Sequence, residues 1–277
     1  RSADKTFFLI KEIGVCLDAG YCRGRRTQNI FVTHSHIDHT RDLPYMALRG
    51  EGTKIFCPKS TKPTVLNYIS AEIELNTQQS LQSFFPTLPY QVIGVESGDI
   101  ITGLGKKYDH WRVKVFQCFH AVDCVGFAFY ETRKKLKAEY QGIPGRELAA
   151  LRKQGKEISE LKSFPRFAYV GDTGIDVFTK NEFLLEEIPI IIVECTFLDG
   201  SSAEMLSERA ERDGHIVWSN REKPQRGLET IVKAHPEITF VLIHFSLRYS
   251  TKEIQTYFSQ QENIGNVVIF PCHMSDS

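Results

Sequence analysis

No run of apolar residues in the chain approaches the roughly 18 needed to span a bilayer, so no membrane partner is expected. Neither sign of charge is in excess: Lys plus Arg and Asp plus Glu both number 34 in 277 residues. A neutral chain does not advertise a nucleic-acid binder, so any phosphate-binding surface has to be local. There is no Cys-x-x-Cys pair, and the seven cysteines are odd in number: Cys16, Cys22, Cys57, Cys118, Cys124, Cys195 and Cys272. A disulfide framework is not expected in a chain with a full core. The cysteines read as mostly buried thiols in a reducing, intracellular compartment, cytoplasm or nucleus ahead of an organelle. No secretory signal, internal repeat or low-complexity tract is visible. Arg1-Ser2-Ala3-Asp4 reads as a cut or processed end.

What is present is a mixed pattern of strands and helices with 42% hydrophobic residues. Strands are expected over 6–10, 15–18, 29–33, 54–58, 90–95, 111–116, 126–130, 166–170, 188–194, 238–244 and 267–270. Helices are expected over 43–50, 63–81, 201–213, 222–235 and 251–258. Residues 131–163 are charged and poor in large apolar groups, and read as a surface excursion with one or two short helices. The whole of 1–277 is then one domain carrying that excursion.

The chain is organised around Thr33-His34-Ser35-His36-Ile37-Asp38-His39. In an extended segment His34 and His36 project to one face, because side chains alternate with period two. Asp38 and His39 follow as the chain leaves the strand. Imidazole with carboxylate is a donor set for Zn²⁺, with Mn²⁺ or Fe as competitors. Five apolar runs end in an ionisable residue: His34, His120, Asp172, Glu194 and His244. Such ends suggest one shared rim where strands stop and loops begin. Seven donors, namely His34, His36, Asp38, His39, His120, Asp172 and His244, give four per ion for two ions if one carboxylate bridges. Zinc lowers the pKa of bound water to about 7, which supplies a nucleophile at neutral pH. Gly171 before Asp172 lets the backbone approach closely. Asp18, in Asp18-Ala19-Gly20, reads as a turn or cap residue.

These residues resemble the metallo-β-lactamase superfamily in His-x-His-x-Asp-His, a later His, Gly171-Asp172-Thr173 and a final strand-end His. The segments Glu194-Cys195-Thr196-Phe197-Leu198-Asp199, Gly214-His215-Ile216 and His244-Phe245-Ser246-Leu247-Arg248-Tyr249 narrow the likeness. They are similar to ribonuclease Z in its short form, the zinc-dependent endonuclease that removes 3′ trailers from precursor tRNA. The resemblance implies an α/β fold, an αββα sandwich with metals at one edge. It implies that His34, His36 and His120 hold one zinc, that Asp38, His39 and His244 hold the other, and that Asp172 bridges. It makes His215 the general acid for the leaving 3′-oxygen, oriented by Glu194, and it implies a homodimer. Ser246 and Arg248 would touch phosphate or acceptor-stem RNA, although Arg248 could equally pair with a carboxylate.

The chain departs from the family in places. His39-Thr40-Arg41-Asp42-Leu43-Pro44 lacks the glycine usual after the fourth ligand. An initial strand found in relatives is expected to be missing before Arg1. The long tRNA-gripping arm of bacterial relatives is at most a stub between His120 and Asp172. Arg133, Lys134, Lys135 and Lys137 lie in that stretch and read either as a solvated helix face or as phosphate contacts. The competing functions are a hydrolase of small phosphodiesters or thioesters on the same fold, and a non-catalytic binding relative. Intact metal donors weigh against the latter.

Overall fold

A computed structural model describes residues 2, 4–48, 52–85, 87–199 and 204–270. Strands β1 (Phe8–Ile10), β2 (Val15–Leu17), β3 (Asn29–Phe31), β4 (Thr53–Pro58) and β5 (Tyr90–Val95) form one sheet in chain order. The β1–β2 pair is antiparallel and the others are parallel. Then come β6 (Ile100–Ile101), β7 (Trp111–Cys118), β8 (Cys124–Leu136), β9 (Ser159–Tyr169), β10 (Ile190–Glu194), β11 (Phe197–Asp199), β12 (Val217–Ser219), β13 (Thr239–Ile243) and β14 (Val267–Ile269). Strands β11 and β12 pair only with each other, and the remaining seven make a second sheet in the order β14-β13-β10-β9-β8-β7-β6. Its β6-to-β9 side is antiparallel and its β9-to-β14 side parallel.

Helices are α1 (Ile37–Thr40), α2 (Leu43–Leu48), α3 (Lys62–Thr77), α4 (Leu81–Phe84), α5 (Gly145–Lys153), α6 (Val177–Lys180), α7 (Phe183–Glu186), α8 (Glu204–Asp213), α9 (Leu228–Ala234) and α10 (Thr251–Ser259). The expected helix over 63–81 ends at Thr77, because Gln78 takes a left-handed conformation and its N–H caps Glu74. The region 222–235 is a 3₁₀ turn at Pro224–Arg226 followed by α9. Ser250 closes a capping box with Glu253 at the start of α10. Gly50 and residues 201–203, at the ends of two expected helices, lie outside the described residues.

Alternation along the strands sorts the core into layers. Val15 and Leu17 of β2 face the second sheet, while Cys16 between them faces the helices. The two sheets close on each other where Phe31 stacks on Phe56 at 4.8 Å and meets Phe127 and Phe129 edge-on at 5.0 and 5.3 Å. Met46, Val65, Ile69 and Ile73 of α2 and α3 cover the outer face of the first sheet. Leu228, Val232, Ile254 and Phe258 of α9 and α10 cover the second. Strands β10 and β13 are therefore packed on both faces beyond the exposed Ile190, with Ile192 and Val241 half-buried, and their sequences Ile190-Ile191-Ile192-Val193 and Phe240-Val241-Leu242-Ile243 are apolar throughout. The architecture is the expected αββα sandwich.

The excursion is built differently from its sequence reading. Strands β8 and β9 continue past the sheet as a two-stranded arm, pairing Thr132 with Ser163 through Leu136 with Ser159. A 3₁₀ turn at Ala138–Tyr140 and α5 close its tip, and Ile158 is its one residue 2% exposed among the surrounding polar chain. Arg133, Lys134 and Lys135 therefore stand on a strand and not on a helix face. Nine strand steps from Phe127 to Leu136 carry the tip roughly 30 Å from the rim.

Candidate metal centre and proton donor

The rim forms where β3, β7, β9, β10 and β13 end. Immediately past β3, His34 and His36 stay extended, and α1 then turns Asp38 and His39 back beneath them. His120 follows β7, and Asp172 follows β9. The donor atoms of His34, His36 and His120 lie within 4.8 Å of one another, and so do those of Asp38, His39 and His244. The Asp172 carboxylate lies between the two groups: one oxygen is 3.8 Å from His34 Nε2 and 3.1 Å from His244 Nε2, and the other is 3.5 Å from His39 Nε2. Gly171 permits that position, since a Cβ there would sit 2.7 Å from Cβ of Thr33. Gly214 has φ +69° and a Cβ on it would lie 2.6 Å from His120 Cα, so its carbonyl can reach His120 Nδ1 at 3.0 Å.

The spacing fits a metal ion. Nitrogen donors at 2.0–2.1 Å from a tetrahedral zinc are about 3.3 Å apart. His36 Nδ1 is 3.1 Å from His34 Nε2 and 3.2 Å from His120 Nε2. His244 Nε2 is 3.3 Å from Asp38 and 3.4 Å from His39 Nε2. Imidazole lone pairs converging at such distances need a cation or shared protons between them.

The electrostatics of the two groups differ. Burial and the neighbouring imidazoles hold His34 and His36 below the usual histidine range. Burial pulls His39 the same way, yet the charges and hydrogen bonds of Asp172 and Asp18 raise it well above. Burial would raise Asp38 and Asp172, but His39 and His244 hold both well below the carboxylate range. The second group is thus the richer in carboxylate, with Asp38 in it and Asp172 and Asp18 against His39.

Asp18 is not the turn or cap residue that its sequence setting suggests. It is fully buried with φ +57° and accepts from Thr33 N at 2.7 Å, Tyr169 OH at 2.6 Å and His39 Nδ1 at 2.8 Å. A carboxylate behind a candidate metal-binding imidazole fixes its tautomer and raises its basicity. The only sequence signal was an acidic residue ending an apolar strand, the same signature that marked His34 and Glu194. Asp42, which stands near the missing glycine, accepts from Cys22 N at 2.7 Å and so tethers the loop after Asp18. Arg41 is exposed.

Glu194 is fully buried and takes four donors: Thr173 N at 2.8 Å and His215 Nδ1 at 2.9 Å on one oxygen, Thr196 Oγ1 at 2.5 Å and Ile216 N at 3.2 Å on the other. These four donors occupy its lone pairs, although Glu194, His215 and His244 also bring donor atoms within 4.8 Å of one another, as do His120, Asp172 and His215. Burial lowers the His215 pKa, but the charge and hydrogen bond of Glu194 push it up to about 9. His215 therefore holds a proton at neutral pH beside the cluster, its ring 4.8 Å from that of His120.

The expected RNA-facing residues divide. Ser246 binds locally, its backbone N–H donating to Thr196 O at 3.0 Å. The Arg248 guanidinium lies over the Phe197 ring at 5.3 Å, and no described carboxylate pairs with it. On the arm, Arg133 is held by Glu131 at 2.6 Å, and Lys135 lies over Phe164 at 5.7 Å. Period-two alternation puts Arg133 and Lys135 on one face and Lys134 on the other, so the four cations are not one patch. Lys137 follows the strand, its N–H donating to Ile158 O. The six described cysteines are free and buried; burial pushes Cys16 up to about 12 and Cys57 up to about 11, which suits inert core thiols. No described helix is long and apolar enough to cross a membrane.

No profile of a known protein family matches the chain. It is 31% identical over 260 residues to tRNase Z TRZ1 of Arabidopsis thaliana, covering 91% of this chain and 85% of that protein. It is 29% identical over 268 residues to the chloroplastic tRNase Z TRZ2 of the same plant, covering 91% and 67%. Among solved structures it resembles the metallo-β-lactamase fold protein YhfI of Bacillus subtilis, with TM-score 0.53, 13% identity and coverage of 95% and 86%. Human tRNase Z, short form, superposes with TM-score 0.50, 19% identity and coverage of 88% and 85%. That fold implies bound metal, and the donor set at the rim fits it. By sequence over nearly its whole length, and by fold, the chain belongs to the tRNase Z (ribonuclease Z) family of metallo-β-lactamase-fold enzymes.

Proposed function

We propose that this protein is an endoribonuclease that removes the 3′ trailer of precursor tRNA by hydrolysing one phosphodiester, with two zinc ions per chain. The observation that carries it is His215, held at 2.9 Å by buried Glu194, beside a cluster of seven metal-type donors. In this reading His34, His36 and His120 would hold one ion, and Asp38, His39 and His244 the other, with Asp172 facing both groups. Mn²⁺ could replace zinc in an oxygen- and nitrogen-donor set. The ions supply a nucleophile from water at neutral pH and offset the charge on the phosphoryl oxygens. The chain's own residues do the rest. Asp38 and Asp172, held ionised by His39 and His244, keep acceptor oxygens at the rim that would orient the entering water. His215 donates its proton to the departing ribose 3′-oxygen, and Glu194 stabilises the ring in the donor tautomer. Arg248, whose guanidinium lies 5.3 Å over the Phe197 ring, meets a phosphate in this reading. The arm residues Arg133, Lys134, Lys135 and Lys137 contact RNA backbone away from the chemistry.

The chain is read as one folding unit with the arm as an appendage, acting as a homodimer. Cleavage mapping on a 3′-trailed precursor tRNA tests the function. A single cut at the base of the trailer supports it. Hydrolysis of a chromogenic phosphodiester without any trimming of precursor tRNA rejects it in favour of a small-substrate hydrolase. Metal analysis of chelator-free protein should approach two ions per chain, and light scattering should give twice the chain mass.

A further inference from the structure

The roles above leave a buried hydroxyl at the rim unused. Thr196 is 3% exposed and sits in the short link between β10 and β11. Its Oγ1 is 2.5 Å from Glu194 Oε2, 3.2 Å from His244 Nδ1 and 3.4 Å from His215 Nδ1. Its carbonyl accepts from Ser246 N at 3.0 Å, which pins the link to the loop after β13.

A hydroxyl has one proton and two acceptor lone pairs. An ionised Glu194 can only accept, and its contact is the shortest, so the proton of Thr196 goes there. The lone pairs then face His244 Nδ1, whose N–H they accept. A histidine protonated at Nδ1 offers its Nε2 lone pair, and Nε2 of His244 is the atom 3.1 Å from Asp172 and 3.3 Å from Asp38. His244 also takes a left-handed backbone, φ +59°, which non-glycine residues seldom adopt. Its carbonyl lies 3.2 Å from the Thr196 hydroxyl, a longer and weaker acceptor for that one proton than Glu194 at 2.5 Å. His215 gives its Nδ1 proton to Glu194 at 2.9 Å, so the longer approach to Thr196 is secondary.

We infer that Thr196 is a positioning residue: its hydroxyl fixes His244 with Nε2 toward the metal group and links that ring, through Glu194, to His215. The inference rests on reading His244 as a ligand and His215 as the acid. It gives the second group a hydroxyl support for His244 to match the carboxylate support that Asp18 gives His39.

Two substitutions separate the hydroxyl from the packing. Thr196→Val keeps the shape and loses the hydroxyl; Thr196→Ser keeps the hydroxyl and loses the methyl. Zinc affinity is read by competition with a chromogenic chelator, and turnover on precursor tRNA is read separately. The valine variant should bind one zinc about 10–100-fold more weakly, the usual cost of an outer partner, with lowered kcat and little change in KM for tRNA. The serine variant should match wild type in both assays. Should the valine chain fail to fold, Thr196→Ala against Thr196→Ser makes the same comparison, since both lack the methyl. Wild-type zinc affinity without the hydroxyl overturns the inference. So does a serine variant as impaired as the valine or alanine one, because packing would then explain the loss. A wild-type protein that binds zinc but cleaves no precursor tRNA sinks the functional reading alone, and the chelator competition still decides for Thr196.

Discussion

The rim and the arm use charge in opposite ways. At the rim, the ring nitrogens of His34, His39, His120 and His244 that face away from the cluster each meet a partner: Thr33, Asp18, the Gly214 carbonyl and Thr196. The charges there are buried, so the low dielectric strengthens each interaction and makes each missing partner costly. On the arm the charges are exposed and partly paired with one another, Arg133 with Glu131 and Lys162 with Glu160. Exposed pairs are screened by salt and add little to stability. The difference sets buried, mutually dependent groups at the rim against solvent-screened charge on the arm, and in the proposed reading the first does chemistry while the second grips RNA backbone.

The sharpest way to break that division is Asp172→Ala. It removes the carboxylate that faces both donor groups, so metal content should fall toward zero and precursor cleavage to background. An Asp172→Ala protein that keeps two ions would undo the bridging role. Next is His215→Ala, which should retain both ions while cleavage slows on the order of 10²–10⁴, the contribution of a lost proton donor. Loss of an ion in that variant, measured by metal analysis, would make His215 a ligand instead.

Asp18→Asn should follow in size. It keeps the shape but takes the charge from behind His39, and zinc affinity should weaken about 10–100-fold in chelator titrations. The pH profile gives a further test. The folded pKa of His215 lies above its unconstrained value of 6.5, at about 9, so its proton-bound form stabilises the fold fully below 6.5 and that contribution fades as pH rises through 9. Activity that needs this proton should hold through neutral pH and fall on the alkaline side. Glu194→Gln leaves only the weaker pull of Asp172 and Asp213 against the lowering effect of burial, so the alkaline limb of kcat should move to lower pH; an unmoved limb would remove Glu194 from the role.

The smallest effect belongs to the arm. Changing Arg133, Lys134, Lys135 and Lys137 together to Ala should raise the dissociation constant for precursor tRNA and flatten its salt dependence, by up to about one unit of slope per lost phosphate contact. Because Arg133 is already held by Glu131, the change should fall short of four. Hydrolysis of a small phosphodiester should stay near wild type, and a fall there would erase the contrast between the two regions.

The sequence by itself marked the strands and most of the rim, while the αββα layering entered as what the resemblance implies. Period-two alternation in β2 and unbroken apolar runs in β10 and β13 follow from which faces are buried, so they can be read from one chain. His34, His36, Asp38 and His39 are legible because their spacing is local, and His120, Asp172, Glu194 and His244 because each ends a strand. Only the tertiary structure decided the partners. Asp18 looked like a turn residue because nothing near it in sequence shows that Tyr169, 151 positions on, donates to it. Thr196 is an ordinary link residue until the ends of β10 and β13 lie side by side. The arm's cations looked like a helix face because charged residues carry little hydrophobic period, and only pairing with residues 159–163 made that stretch a strand. Hydrophobic order is written along the chain, whereas the hydrogen bonds that aim each ring join residues which only the closing of the two sheets brings within 3 Å or so of each other.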